Sequence, residues 1–119
     1  YVAVTGVQTC ALPISLPRMQ EVAGGIEARL AVNARLIDSF ASDFDNGFPL
    51  SAIESNIIKL TVTNNAAAVV EDALSLTSNH GLSRTNPLER HYRDVLCGRV
   101  HTPQDDSTRV AAGRFALGV

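Results

Sequence analysis

Three histidines, two cysteines and one run of alternating charge are the side chains in this sequence that could carry chemistry. His80, His91 and His101 stand too far apart along the chain to form a local metal site, so no metal is expected and ordinary surface or capping roles are. Glu89, Arg90, Arg93 and Asp94 have the spacing of ion pairs along a helix, which contribute only about 0.2–0.5 kcal/mol each on an exposed face. They read as structural. The chain has no Gly-rich phosphate loop, no nucleophile elbow, no CxxC and no HExxH. Any active site must therefore be assembled from residues that carry no local signature.

The elements that would position these residues are helical. From Arg18 to about Asp43 the apolar residues Met19, Val22, Ile26, Leu30, Ile37, Phe40 and Phe44 recur at steps that mark one helix face, with Asn33 as a polar interruption. Gly24-Gly25 weakens that helix by roughly 1 kcal/mol per glycine and marks a kink or a close approach. Asp45-Asn46-Gly47-Phe48-Pro49 is a turn on composition. Ser51-Ala52-Ile53-Glu54 then carries the capping-box pattern, in which serine and glutamate satisfy each other's orphan N–H groups.

The second helix, to about Ser78, carries two apolar stripes. One holds Ile53, Ile57, Leu60, Ala67 and Leu74, and the other Ile58, Val62, Ala66, Val69, Ala73 and Leu76. A helix apolar on two sides must be covered on two sides, and so short a chain implies that other domains or subunits do the covering. Asn79-His80-Gly81 ends this helix, with Gly81 as a left-handed stop on the simplest structural reading. Asn86-Pro87-Leu88-Glu89 starts another, with Asn86 as N-cap and Glu89 reaching back. Thr102-Pro103-Gln104-Asp105 starts the last, with Thr102 as its cap. No segment alternates convincingly as a strand. The fold expected is all-α, an up-and-down helical bundle.

Composition narrows the function. The hydrophobic fraction is 45% with 5% aromatic, a mixture of small and aliphatic side chains that suits packed helices. Net charge is −2 with acids and bases interleaved, so the basic stripe that nucleic-acid binding needs is lacking. The longest strictly apolar run, Ala66–Val70, is too short to cross a bilayer. The N-terminal stretch Val4–Ile14, VTGVQTCALPI, stands apart. The DNA of a common sequencing-library adapter translates to the same string, and its last base requires the next codon to begin with T, which Ser15 satisfies. Residues 1–15 are therefore expected to be an unstructured artefact at a truncated reading frame, and residues 16–119 a partial helical domain. Cys10 goes with the artefact. Cys97 is then alone, no disulfide can close within the chain, and a reducing cytoplasm is expected.

The segment Asn79–Val119, NHGLSRTNPLERHYRDVLCGRVHTPQDDS and onward, resembles the C-terminal helical domain of the acyl-CoA dehydrogenase superfamily. The family motif runs from a glutamine through a glycine pair and a further glycine to an acid, a base and an aspartate. Gly81 and Leu82 fit the glycine-hydrophobic step, Arg90 the base, and Asp94 the closing acid. Lys59, in IIKLT, falls where the family usually carries lysine on the preceding helix. Ser75 stands at the glutamine position, Ser78 and Asn79 replace the glycine pair, and Thr85 replaces the acid.

The resemblance implies an incomplete four-helix C-terminal domain of an FAD-dependent oxidoreductase that contributes to flavin binding and to tetramer assembly. By the same resemblance Ser75, Ser78, Asn79 and Gly81 are candidate FAD-binding residues, since this turn approaches the flavin pyrophosphate of a neighbouring subunit. Dehydrogenases of the family take the α-proton of an acyl thioester with a glutamate, often eight residues after the aspartate. Here that position is Thr102, which cannot act as a base. Flavin monooxygenases of the same fold need no such glutamate. HTPQDDS resembles that branch, which makes His101 the candidate catalytic residue and Gln104 a candidate flavin contact. The expected substrate is a small molecule or an acyl thioester. A non-catalytic helical interaction module is the reading from a different class. For the N-terminal segment, reading the genomic locus upstream of Leu16 should reveal codons unrelated to VTGVQTCALPI. Genomic codons that encode the same string would remove the adapter explanation.

Overall fold

The computed structural model describes residues 13–48 and 50–119, so most of the adapter-like segment, Cys10 included, lies outside the described residues. Among the described residues there are five helices: α1 (Pro17–Asp45), α2 (Ala52–Thr77), the single turn α3 (Asn79–Leu82), α4 (Pro87–Val100) and α5 (Asp105–Leu117). Among the described residues there is no strand. None of these helices is long and apolar enough to cross a membrane.

The start of α2 is built as its sequence dictates. The Ser51 side chain accepts from the Glu54 N–H at 3.2 Å, while the Glu54 carboxylate accepts from the Ser51 N–H at 3.1 Å and from its hydroxyl at 2.8 Å. Helix α1 begins with Pro17 in its first turn and ends at Asn46, whose amide donates to the Ser42 carbonyl at 2.8 Å. Gly47 follows with φ of 74°, which lets the chain turn back without crowding a Cβ. Gly24-Gly25 neither interrupts the helix nor marks a close approach of another element. The pair lies inside the unbroken α1, and a Cβ at Gly24 would meet nothing within 4 Å.

Helix α2 is the axis of the domain. Arg29 reaches Asp72 at 2.8 Å and Asn33 reaches the Val62 carbonyl at 3.0 Å, so α1 and α2 run antiparallel. Leu88 packs on the Ile26, Val69 and Ala73 core, while Gly98 lies against Thr63, so α4 is antiparallel to α2 as well. Asn64 binds the Asp105 carboxylate at 2.9 Å and fixes the start of α5 on the same helix. Helix α1 packs on one side of α2 and α4 and α5 on another, yet most residues of the two stripes stay partly exposed and Ile57 is exposed. Further exposed apolar side chains include Ile37, Phe40 and Phe44 late on α1 and Val110, Phe115 and Leu117 on α5. Asn33, read from the sequence as an interruption, is itself buried and holds Asn65 at 2.9 Å.

Two start signals differ from their sequence reading. Asn86 caps α4 by accepting from the Leu88 N–H at 3.0 Å, but Glu89 pairs forward with Arg93 at 3.1 Å instead of reaching back. Helix α5 starts at Asp105 with Gln104 as its N-cap, so Thr102 does not cap it. The cause is visible next door: the carbonyls of His101 and Pro103 turn inward to Lys59, which carries the chain past Thr102 before the helix can begin.

The capping box makes a pH prediction. Hydrogen bonds from the Ser51 side chain and then from the Ser51 backbone hold the Glu54 carboxyl below its ordinary value of 4.5. A depressed folded value means stability present above the unfolded value and lost as pH falls through the folded one. Glu54→Gln should therefore flatten the acid limb of a stability-versus-pH curve below about pH 4.5. An unchanged acid limb would show that the box does not form in solution.

Candidate functional site

The residues singled out from the sequence fall into two groups on α2, and one chain does not bring them together. Ser75, Ser78, Asn79 and Gly81 lie at its C-terminal end. His101 and Gln104 lie beside Lys59 and Asn64 in its first half. From Lys59 to Ser75 the helix rises about 24 Å, at roughly 1.5 Å per residue. No single chemical group can touch both within one chain.

The turn at the end of α2 is set by Ser78, not by Gly81. Ser78 has φ of 52° and ψ of −132°, a conformation that L side chains rarely adopt and glycine adopts freely. The left-handed stop read at Gly81 is therefore three residues early, and Gly81 itself sits in the helical turn α3. Gly81 is glycine for another reason. It is buried, and a Cβ there would run into the Thr77 hydroxyl and come within 2.9 Å of Leu74 Cδ2. It lets α3 lie directly on α2. Above it, Ser78 and Asn79 are exposed, and neither side chain has a hydrogen-bond partner among the described residues. Ser75 is exposed too, but its hydroxyl donates to the Asp72 carbonyl at 2.7 Å.

The second group is organised by Lys59. Its ammonium donates to the carbonyls of Gly98 at 2.7 Å, Pro103 at 2.9 Å and His101 at 3.0 Å, which uses all three of its protons. Asp105 supplies the countercharge at 3.8 Å and is held by Asn64. The segment His101–Gln104 is thereby clamped by its backbone, while the side chains of His101, Thr102 and Gln104 stay exposed. The sequence signal for this clamp was the position of Lys59; its three carbonyl partners had none. Among the described residues no three His, Cys, Asp or Glu side chains gather to hold a metal ion. Cys97 is exposed.

Helices laid antiparallel on a central one, with a lysine clamping the last interhelical segment, make an all-α bundle. Residues 6–109 match the family described as acyl-CoA dehydrogenase, C-terminal domain, and the chain belongs to that family. It is 33% identical over 105 residues to YdbM of Bacillus subtilis (strain 168), which bears an acyl-CoA dehydrogenase name; the match covers 85% of this chain and 28% of YdbM. It is 30% identical over 118 residues to the amino sugar nitrososynthase DnmZ of Streptomyces peucetius, covering 94% of this chain and 29% of that protein. The fold is that of the acyl-CoA dehydrogenase from Slackia heliotrinireducens DSM 20476, with a TM-score of 0.85 at 19% identity, over 98% of this chain and 32% of that one. The chain thus spans under a third of the length of each of these proteins.

The two halves of the turn should respond oppositely to substitution. Ser78→Gly relieves the left-handed strain and should raise stability by about 1 kcal/mol. Gly81→Ala forces α3 off α2 and should cost about 1–3 kcal/mol. Thermal melts of the two variants test this, and a destabilised Ser78→Gly would contradict the backbone geometry described.

Proposed function

We propose that this chain is the C-terminal part of an FAD-dependent oxidoreductase, in which it contributes to flavin binding and to assembly of a tetramer. The observation that carries the proposal is the Lys59 clamp. It holds by the backbone the segment His101–Gln104, where members of the family bring protein groups to the flavin. Such a clamp leaves side chains free to face a ligand while their Cα positions stay fixed, which is the preorganisation that catalysis requires. The exposed apolar residues late on α1 and on α5 are consistent with subunit contacts.

The turn Ser78–Asn79 fits a phosphate-bearing cofactor. Both side chains are exposed and have donors to spare, and Ser78 already holds a backbone conformation that glycine adopts freely. Ser75 fits less well, because its proton is engaged with Asp72. Gly81 enters by seating the turn on α2. A bound flavin would supply two-electron redox chemistry, and the part of these residues would be to hold and orient it.

Within that class, two observations favour a monooxygenase-type enzyme as a second reading. Thr102 stands where a dehydrogenase often has its glutamate, and DnmZ, named as a nitrososynthase, matches across almost the whole chain. In this reading His101 and Gln104 donate or accept hydrogen bonds beside the flavin, and the substrate is a small molecule. In the dehydrogenase reading the base comes from elsewhere in the protein and the substrate is an acyl thioester.

The test uses the full-length protein. It should purify yellow with bound FAD. His101→Phe should reduce turnover while FAD stays bound, and Thr102→Val should change little, since its side chain is exposed and caps no helix. Colourless protein that takes up no FAD would overturn the oxidoreductase proposal in favour of an interaction module. Product formation that requires a flavin reductase and oxygen would select the monooxygenase reading.

A further inference from the structure

Outside the two groups already described, the most distinctive site is a cleft of about 610 Å³ at the start of α4. Its lining includes Arg84, Arg90 and Arg93 against a single acid, Glu89. That acid is already engaged, because its carboxylate receives Arg93 Nε at 3.1 Å. Among the described residues Arg84 and Arg90 form no ion pair and no side-chain hydrogen bond. Three arginines therefore line one open space, and two of them have no partner among the described residues.

The size of this space is that of a small-molecule site, but its lining is not. Sites for acyl chains or aromatic rings are walled by apolar side chains, and Pro87 is the one apolar residue here. The chemistry points to a multiply charged anion. Guanidinium groups bind phosphate oxygens in pairs, and several arginines around one space suit a group with more than one such face. Two further features add to the field. The cleft opens at the N-terminus of the 14-residue α4, where the helix dipole favours negative charge. Asn86 spends its side-chain oxygen on the Leu88 N–H, which leaves its amide hydrogens available as donors.

We propose that Arg84, Arg90 and Arg93 form a binding site for a diphosphate-type polyanion at the start of α4. The site does not depend on the flavin proposal, since it uses none of Ser75, Ser78, Asn79, His101 or Gln104. The diphosphate belongs either to a free inorganic ion or to a nucleotide, and the probes separate the two. The full-length protein, saturated beforehand with FAD, is titrated calorimetrically with inorganic pyrophosphate and, separately, with ADP.

Saturable binding of either probe is expected. The double variant Arg84→Gln, Arg90→Gln should weaken it by roughly tenfold or more, the scale of a lost charge-assisted contact. Both side chains are exposed and unpaired among the described residues, so an unchanged thermal melt should accompany the loss. Arg114→Gln, on exposed α5, should leave binding intact. Binding of pyrophosphate as tight as that of ADP identifies a free-ion site, and clearly tighter ADP a nucleotide site; both support the proposal if the double variant loses them. No saturable binding of either probe overturns it. So does an equal loss in Arg114→Gln, which would mean diffuse charge attraction rather than a site.

Discussion

One buried-edge ammonium holds the second half of this domain together. Lys59 has three protons and meets three carbonyls, those of Gly98, His101 and Pro103. Gly98 lies in the last turn of α4, where carbonyls have no partner within their own helix. Lys59 therefore acts as a C-terminal cap delivered from another helix, and its charge complements the negative end of the α4 dipole. Asp105 balances that charge from the first turn of α5, and Asn64 fixes Asp105. Lys59 and Asn64, little more than a turn apart on α2, thus determine where α4 ends and where α5 begins.

The pairing of α1 with α2 follows a different rule. Their apolar contact is modest, with Ile26 meeting Val69 and Ala73. Aliphatic faces of this kind slide past one another at little cost, so register needs polar contacts whose geometry is specific. Asn33 supplies one by donating to the Val62 carbonyl while accepting from Asn65. Arg29 and Asp72 supply another at a half-exposed position, where an ion pair adds little stability but still penalises a shifted register. Beyond Asn33 no side-chain hydrogen bond joins α1 to α2 among the described residues, and Ile37, Phe40 and Phe44 are exposed.

The departures of this chain from its family's motif look different once the backbone is known. A glycine pair at a turn is usually explained by the close approach of a ligand. Here Ser78 holds the glycine-type conformation without being glycine, so the turn itself requires that backbone whatever it binds. Gly81 remains glycine because Thr77 and Leu74 occupy the space of its Cβ. Packing thus separates two glycine positions that a motif treats alike.

The sequence by itself determined the helices. Periodicity placed α1 and α2 to within a few residues, and the Ser51–Glu54 and Asn86 caps are local interactions that need nothing from the rest of the chain. The family resemblance was likewise carried by residues near one another in sequence, from Gly81 to Asp94. Tertiary structure decided what depends on partners far along the chain. Thr102 has the appearance of a cap, but Lys59, more than forty residues earlier, draws the neighbouring carbonyls inward and moves the start of α5 to Asp105. Which side of α2 meets which helix was settled there too: Val69 and Ala73 pack with Ile26 of α1, while Lys59 and Asn64 reach the end of α4 and the start of α5. Capping and periodicity are written within a turn or two of helix. A carbonyl's choice of donor is settled only when the helices meet.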